Sequence, residues 1–322
     1  MPTAVSAYAK INVGLYIGPC RPDGFHELRT VYQTIALHDT VRVSVGTGTG
    51  IEIRCKNPAV PTNESNTCWR VAERVMKALK QRGRVQIQID KKLPVQGGLG
   101  AGSSNGVATM LALEREMGTP LSPEDKLGIA AEVGSDLPLF LVGGTVLGIG
   151  HGEQVLPLPD IAVLPLVVAT PDIGVSTPEA FADWDTLAAS ESSQLTGAAR
   201  PSRMDTFSHE LFVWLAGSNS GVPAKGRDRA ETPLLDLVRA GIENDFERVV
   251  FPQYPELREV KRVLEREGAK YASLSGSGAA LYGLFESPEA AQAGAAKLKT
   301  QGTAAVATKT LPRSDYWATL FD

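Results

Sequence analysis

The chain has 322 residues, of which 43% are hydrophobic and 21% are charged, and its net charge is −4. This composition is typical of a globular protein with a sizeable core, and the charge argues against binding to nucleic acid or to an anionic membrane surface. The three cysteines have no C-x-x-C spacing, which argues against a disulfide framework or a zinc site. No apolar run approaches the roughly 20 residues of a membrane span, and no signal-peptide pattern is present, so a cytoplasmic location is expected.

The first predicted strand runs from Val5 to Ile17, because its odd positions are all apolar. Lys10 and Asn12 fall on its other face. A lysine beside an asparagine on a strand face is typical of solvated surface, but the same pair could direct a cation and an amide into a cleft. The strand pattern leaves both interpretations open.

A turn signal, Pro22-Asp23-Gly24, follows this strand, and Phe25 and His26 come directly after it. Loops carry a large share of binding groups, so these two rings are candidates for a ligand site. A buried phenylalanine with an incidental histidine explains the pattern equally well.

Two alternating runs, 41–45 and 51–54, predict a hairpin across the intervening glycines. A helix is predicted from Cys68, where apolar residues recur at helical spacing, and Asn66 is a candidate for its N-cap. A further alternating run, 85–89, predicts a strand.

That strand leads into a glycine-rich loop, Leu93 to Gly106, and helical spacing resumes after it. Glycines let backbone N–H groups converge on an anion, and a helix N-terminus adds donors and the positive end of a dipole. Neither Gly-Lys-Ser/Thr nor G-x-G-x-x-G is present in the loop, so it is neither a Walker loop nor a dinucleotide fingerprint. We interpret it as a polyphosphate cradle, with a flexible glycine turn as the alternative. Ser103 and Ser104 either cap the helix or contact a phosphate or its metal.

A helix is predicted from Ser122-Pro123 to about Gly134, and Asp136 follows it before an apolar run. An aspartate in this setting is usually a turn or cap residue. A carboxylate held at the edge of a buried site is the alternative.

The pattern restarts after Asp160 with an apolar strand, so we place a domain boundary between residues 159 and 160. The order helix, strand, strand, helix, strand in the second half favours an antiparallel α+β sandwich. A helix begins at Thr177, and a second glycine–serine loop lies within 271–285. The stretches 188–203 and 218–229 are polar and predict surface loops around one short helix.

Four segments in this order resemble the GHMP family of small-molecule kinases. They are Ala9-Lys10-Ile11-Asn12, the loop from Pro94 to Ser104, Gly134 to Pro138, and Leu274 to Gly278. Asp23-Gly24-Phe25-His26-Glu27-Leu28 is the more specific motif, supported by matches at 144–153 and 244–247. It resembles the branch of the family that phosphorylates CDP-methylerythritol in the non-mevalonate isoprenoid pathway. The resemblance covers nearly the whole chain, except 188–229, and departs from the usual pattern at Phe25 (often Tyr) and Ala101 (usually Gly).

The resemblance implies an α+β GHMP kinase fold. Residues 1–159 would form an ATP-binding and catalytic domain similar to ribosomal protein S5 domain 2, and residues 160–322 a ferredoxin-like C-terminal domain. It implies ATP and Mg²⁺ as cofactors, a small-molecule substrate, and a monomer or homodimer.

The resemblance also implies roles for individual residues. Asp136 would be the general base and Lys10 would stabilise the emerging alkoxide, so both are predicted to be catalytic. Predicted ATP-binding residues are those of the loop and two on the adenine side: Pro94, Val95, Gln96, Gly97, Gly98, Leu99, Gly100, Ala101, Gly102, Ser103, Ser104, Asn66 and Lys91. Predicted substrate-binding residues are Asn12, Phe25, His26, Thr177 and Phe181, although a cap role explains Thr177 equally well. No metal ligand is assigned.

Two alternatives remain at this point. One is a GHMP kinase for another alcohol, such as homoserine or a mevalonate-type compound, which would gain nothing from the rings at 25 and 26. The other is a nucleotide-binding module without catalysis, which would need neither Lys10 nor Asp136.

Overall fold

A computed structural model describes residues 1–95, 97–194, 203–217 and 242–321 of the chain. The strands are β1 Thr3–Cys20, β2 His26–Gly46, β3 Gly50–Cys55, β4 Arg84–Asp90, β5 Thr145–Ile149, β6 Gln154–Pro157, β7 Pro165–Thr170, β8 Tyr271–Leu274, β9 Leu281–Leu284 and β10 Ala304–Lys309. The helices are α1 Thr67–Ala78, α2 Ala101–Met117, α3 Pro123–Val133, α4 Leu137–Phe140, α5 Thr177–Gln194, α6 Arg203–Gly217, α7 Glu247–Gln253, α8 Pro255–Arg266, α9 Pro288–Thr300 and α10 Arg313–Ala318. Within these ranges, no helix is both long and apolar enough to cross a bilayer.

The first sheet contains β1 to β6, in the order β3-β4-β2-β5-β6 with β1 paired to β2. Helix α2 packs on β1 and β2, and α1 packs on α2. The buried positions of β4 alternate, so one face of this strand joins the core under the helices while the other faces solvent. This arrangement places the start of α2 beside the middle of β1.

The predicted hairpin between β2 and β3 is wrong. β4 lies between them, antiparallel to β2 and parallel to β3. The apolar residues of β4 match those of β2 in register, with Ile87 opposite Val43 and Ile89 opposite Val41. Cross-strand apolar pairs stabilise a sheet whatever their separation in sequence, so the distant strand takes the central position.

The second sheet has the order β10-β7-β9-β8, and all its strand pairs are antiparallel, which confirms the predicted antiparallel α+β unit. Helices α8 and α9 pack on it. After β10 the chain returns to the first sheet, where Leu311, Tyr316 and Leu320 join the first core. The domain boundary between residues 159 and 160 stays a prediction. The returning tail belongs to the second half of the sequence but packs in the core of the first half.

The polar stretch that begins at residue 188 is helical as far as Gln194, and the next helix, α6, has 15 residues. The prediction of surface loop was wrong over 188–194, because Ala, Ser, Glu and Gln are polar or small without being helix breakers. The remainder of the predicted loops, 195–202 and 218–229, lies outside the described residues.

Candidate active site

Two neighbouring cavities border the glycine loop. The first, which we call the loop cavity, has a volume of about 340 Å³ and is lined by the glycine loop together with Asn66, Lys91 and Asn105. The second, the ring cavity, has a volume of about 660 Å³, and its lining includes Lys10, Asn12, Phe25, His26, Tyr32, Asp136, Thr177 and Phe181. Gly98 lines both cavities, so they meet at the glycine loop.

The glycine loop joins β4 to α2, as the sequence predicts. Gly98 and Gly100 have φ values of +73° and +67°, which favour glycine. A Cβ at residue 98 would lie 2.0 Å from the Ser275 carbonyl oxygen, so the second glycine–serine loop packs directly against the first. The first backbone N–H groups of α2, from Ala101 onward, have no intrahelical acceptor, and residues 101–103 line the loop cavity.

The two serines at this helix start differ in position. The N-cap of α2 is Gly100, and no side chain makes a capping hydrogen bond there. The predicted capping by Ser103 or Ser104 is therefore wrong. Ser103 lines the loop cavity, whereas Ser104 is 2% exposed and lines neither cavity. Pro94, Val95 and the loop residues 97–103 border the loop cavity, and Gln96 lies outside the described residues.

Asn66 caps α1, as one interpretation of the sequence predicted. Its Oδ1 accepts from the Cys68 backbone N–H at 2.8 Å, and its Nδ2 donates to the Pro61 carbonyl at 2.6 Å. The side-chain amide is therefore already hydrogen-bonded within the protein while the residue borders the loop cavity.

Lys91 borders the same cavity, but its ammonium is paired. Its Nζ lies 2.6 Å from Asp39 Oδ2, and both side chains are almost fully buried. Asp39 also accepts from Asn105 Nδ2 at 3.0 Å and from the backbone N–H groups of residues 92 and 93. The charge of Lys91 is thus matched inside the protein, and the start of α2 contributes backbone N–H donors to the loop cavity.

Lys10 and Asn12 are 3% and 1% exposed, so the solvated-surface interpretation is wrong. The glycine loop and the second glycine–serine loop cover this face of β1: a Cβ at residue 100 would lie 3.0 Å from Lys10 Cγ, and one at residue 276 would lie 3.6 Å from Asn12 Oδ1. The second sheet packs on the opposite face of the strand. Register shifts occur between residues 8 and 9 and between residues 12 and 14 of β1. Such irregularities redirect side chains, and here they flank the two residues that enter the ring cavity.

Lys10 and Asp136 come together in the ring cavity, 126 positions apart in the chain. Lys10 Nζ lies 3.5 Å from Asp136 Oδ2 and donates to Asn12 Oδ1 at 2.7 Å. Asn12 is oriented in turn by a bond from its Nδ2 to Thr30 Oγ1 at 2.8 Å. Asp136 occupies the N-cap position of α4 but makes no capping bond, so its carboxylate is directed to the cavity rather than to the helix.

A buried tyrosine completes this group. The Tyr32 hydroxyl donates to Asp136 Oδ1 at 3.1 Å. Burial raises the pKa of Tyr32 well above its ordinary value, and the nearby Asp136 charge adds to the effect. Tyr32 therefore stays protonated and acts as a hydrogen-bond donor to the carboxylate.

Three predicted rings lie at the far end of the ring cavity. Phe25 is 56% exposed, so the buried-phenylalanine interpretation is wrong, and its ring lies 4.9 Å from that of His151. His26 is buried, stacks on Phe181 with a 4.9 Å centroid distance and 12° between planes, and bonds Asp185 through Nε2. This end of the cavity therefore presents aromatic surface.

Thr177 does not cap α5. Its Oγ1 lies 2.7 Å from Ser277 Oγ on the second glycine–serine loop, and both residues border the ring cavity. Instead, the hydroxyl of Ser176 accepts a hydrogen bond from the Glu179 backbone N–H at the start of the helix, at 3.4 Å.

Comparison with known proteins gives the family. The family model described as the N-terminal domain of GHMP kinases matches residues 66–144, and the C-terminal GHMP kinase model matches residues 230–304. The 4-diphosphocytidyl-2-C-methyl-D-erythritol kinase of Solibacter usitatus is 40% identical over 280 residues, which cover 87% of this chain and 80% of that protein. The chain belongs to the GHMP kinase family. The family and the α+β GHMP kinase fold expected from the sequence motifs are therefore confirmed.

Solved structures agree with this assignment. A crystal structure of 4-(cytidine 5'-diphospho)-2C-methyl-D-erythritol kinase is 28% identical to this GHMP kinase, with a TM-score of 0.72 over 95% of this chain and 98% of that one. A homoserine kinase from Cytophaga hutchinsonii is 21% identical, with a TM-score of 0.67 over 97% and 95% of the two chains, and shares the fold.

The 244–247 motif of this GHMP kinase has a structural role. Asn244 Nδ2 donates to the carbonyls of Leu274 and Gly276, both at 2.9 Å, and so holds the second glycine–serine loop. Asp245 accepts from the Ile17 backbone N–H at 2.9 Å. The motif therefore ties that loop to β1 beside the cavities.

Sequence reasoning missed several polar residues of this GHMP kinase. They are Asp39, which pairs with Lys91, and Tyr32, Asp185 and the Ser135–His151 pair at the ring cavity. Asp39, Tyr32 and Asp185 contact residues far away in sequence and lie in no motif. Ser135 and His151 lie within the family segments 134–138 and 144–153, but no sequence pattern gives either a role. Only the fold brings them to the site.

Proposed function

We propose that this GHMP kinase transfers the γ-phosphoryl group of ATP to the 2-hydroxyl of CDP-methylerythritol, a step of the non-mevalonate route to isoprenoid precursors. The observation that carries the proposal is the meeting of Lys10 and Asp136 beside the junction of the two cavities. A Cβ at residue 100 would lie 3.0 Å from Lys10 Cγ, so the lysine stem runs directly under the glycine loop. The names carried by the 40% and 28% identical relatives support the choice of substrate.

Asp136 is the general base in this proposal. Its carboxylate takes the proton of the acceptor hydroxyl as the oxygen–phosphorus bond forms and the bond from phosphorus to the ADP oxygen breaks. Lys10 stabilises the negative charge that develops on the hydroxyl oxygen, and its ammonium lies 3.5 Å from the carboxylate of the base. Asn12 and Tyr32 hold these two groups in place through the hydrogen bonds described above.

The glycine loop holds the phosphates of the donor. The free N–H groups at the start of α2 point into a cavity whose glycines leave room for a phosphate at the backbone. In this role the predicted loop residues act mainly through their backbone, and Asn66 and Lys91 shape the adenine side with side chains that are already hydrogen-bonded.

Mg²⁺ fits this site as a partner of the phosphates rather than of a protein cage. Among the described residues, no group of three or more His, Cys, Asp or Glu side chains could hold a metal ion. Mg²⁺ in kinases is commonly held by substrate phosphates, waters and one or two protein oxygens. The Ser103 hydroxyl is the one we assign to it. When bound, the ion neutralises charge on the transferred phosphoryl group.

The ring cavity accommodates the acceptor. Its Lys10 end receives the methylerythritol hydroxyl, Thr177 and Ser277 offer hydroxyls along its wall, and the aromatic end suits a flat base. Homoserine and mevalonate-type alcohols have no group that would use Phe25 or the His26–Phe181 stack, so the geometry favours the base-bearing substrate.

A substrate panel tests the proposal. The purified protein is given ATP, Mg²⁺ and, in turn, CDP-methylerythritol, homoserine and mevalonate, with ADP release and the phosphorus NMR spectrum of the product as readouts. We expect turnover with CDP-methylerythritol and a new phosphomonoester signal. Turnover only with another alcohol would overturn the substrate, and ATP binding without turnover on the whole panel would support a non-catalytic nucleotide-binding module.

A further inference from the structure

Asp185 lies at the aromatic end of the ring cavity and contacts His26 across 159 positions of sequence. Its Oδ1 lies 2.7 Å from His26 Nε2, with the His26 side chain 8% exposed and that of Asp185 58% exposed. Residue 185 follows Phe181 by four positions, so both lie on one side of helix α5 and contact the same imidazole. The stack on Phe181 fixes the plane of the imidazole, and the contact with Asp185 fixes the direction in which Nε2 points.

A carboxylate can only accept a hydrogen bond, so the proton of a neutral His26 must reside on Nε2. The other ring nitrogen, Nδ1, is then an acceptor. No residue in the described part of the chain donates a hydrogen bond to this atom, and His26 borders the ring cavity. The site therefore offers a pyrimidine base one fixed acceptor on a ring that is held rigidly.

From this geometry we infer that Asp185 is a positioning residue that selects cytosine over uracil by fixing the tautomer of His26. The inference rests on the proposed function, because it concerns the base of that substrate. Cytosine carries an exocyclic amino group, which can donate to Nδ1. Uracil carries a carbonyl oxygen at the same position, which would face Nδ1 as acceptor against acceptor.

The test measures kcat/KM with CDP-methylerythritol and with its uridine analogue for the wild type, Asp185→Asn and Asp185→Glu. An asparagine can accept from or donate to Nε2, so it lets His26 adopt the other tautomer. A mismatched buried hydrogen bond costs enough to change a rate by about tenfold or more, so we expect the wild-type preference for cytosine to fall by at least that factor in Asp185→Asn. Asp185→Glu keeps an acceptor-only group and should retain most of the preference.

A purely structural role would lower kcat/KM for both substrates equally, which would overturn the inference. Glu179→Gln is the matched control, because Glu179 is an exposed acid on the same helix that borders neither cavity. It should leave the cytosine-to-uracil ratio unchanged.

Nitrogen NMR of the wild type gives an independent readout. The chain has four histidines, so the His26 signals are assigned by their loss in His26→Gln. We expect the pattern of a neutral ring protonated on Nε2, and a mixed or inverted pattern in Asp185→Asn. An imidazolium, or a ring protonated on Nδ1, in the wild type at assay pH would overturn the inference.

The two proposals can fail separately. If the wild type does not phosphorylate CDP-methylerythritol, the proposed function is wrong and the inference falls with it. If the wild type does so but Asp185→Asn keeps the full preference for cytosine, only the role of Asp185 is wrong.

Discussion

The loop cavity and the ring cavity are built from different kinds of groups. Most of the loop cavity comes from the segment between residues 94 and 105, which includes the glycines and the first backbone N–H groups of α2. The ring cavity collects side chains from β1, β2, the starts of α4 and α5, and the second glycine–serine loop. The loop cavity is thus formed mainly by residues that are close in sequence, whereas the ring cavity forms only where distant segments of the chain come together.

This difference predicts how each cavity responds to substitution. A backbone cradle tolerates changes of side chains that point away from it but not an added Cβ that displaces the chain. A cavity of converging side chains depends on the chemistry of each one. Substitutions in the loop cavity should therefore mainly affect ATP binding, and substitutions in the ring cavity should mainly affect the chemistry at the acceptor hydroxyl.

The largest expected effect is that of Asp136→Asn. Asparagine keeps the size of the side chain and can still accept from Tyr32, but it cannot take a proton from the acceptor hydroxyl. Acid–base groups contribute about 10²- to 10⁴-fold, so we expect kcat to fall by at least about 10²-fold. Residue 136 does not line the loop cavity, so the ATP dissociation constant should change little. Steady-state ADP release and ATP titration measure the two quantities.

Glu124→Gln is the control for this loss of charge, because Glu124 is an exposed acid in the first turn of α3. Its kinetics should match those of the wild type. Near-normal turnover of Asp136→Asn would falsify the assignment of the base and would leave the ring cavity as a binding site only.

Gly98→Ala tests the loop cavity. The new Cβ would lie 2.0 Å from the Ser275 carbonyl oxygen at a φ of +73°, so the loop must move. A shift of about 1 Å in a reacting group can cost up to about 10²-fold, and we expect kcat/KM for ATP to fall tenfold or more. Because residue 98 borders both cavities, the KM of the acceptor should rise as well.

Gly128→Ala is the matched control. This glycine lies inside α3, and a Cβ there would meet no atom within 4 Å. Alanine in a helix interior is more stable than glycine by roughly 0.5–1 kcal/mol, so this variant should melt at a slightly higher temperature with unchanged kinetics. Equal ATP kinetics for the two alanine variants would contradict a close packing of the two glycine-rich loops.

The loop cavity was largely predictable from the sequence, because its signals are local. The strand, the glycines and the restart of helical spacing are consecutive, and the start of α3 at Ser122-Pro123 was predicted for the same reason. Details that depend on distant partners were not predictable: Lys91 pairs with Asp39, and Gly100 rather than a serine forms the N-cap of α2.

The ring cavity was predicted only through the family resemblance. Alternation along β1 assigns Lys10 to the face opposite the apolar residues, but it carries no information that two distant loops cover that face. The contact between Tyr32 and Asp136 spans 104 positions, and no local pattern predicts it. The pairing of β4 between β2 and β3 was missed for the same reason, since the competing partner lies far along the chain.

The smallest expected effect is that of Tyr32→Phe, which removes a donor to Asp136 and leaves the ring. A hydrogen bond contributes about 0.5–1.5 kcal/mol, so kcat should fall by roughly threefold to tenfold. Steady-state ADP release measures this loss, and the ATP dissociation constant should stay unchanged because Tyr32 does not line the loop cavity.

Tyr8→Phe separates this effect from the general loss of a buried hydroxyl. Tyr8 lies on the same sheet away from both cavities, and its hydroxyl donates to Thr319 Oγ1 at 2.7 Å. It should lower the melting temperature without lowering kcat. Because burial raises the pKa of Tyr32, the wild type should also show no loss of activity from Tyr32 ionisation near its ordinary pKa of about 10. An unchanged kcat in Tyr32→Phe would mean that the 3.1 Å contact does not contribute to the action of Asp136 as the base.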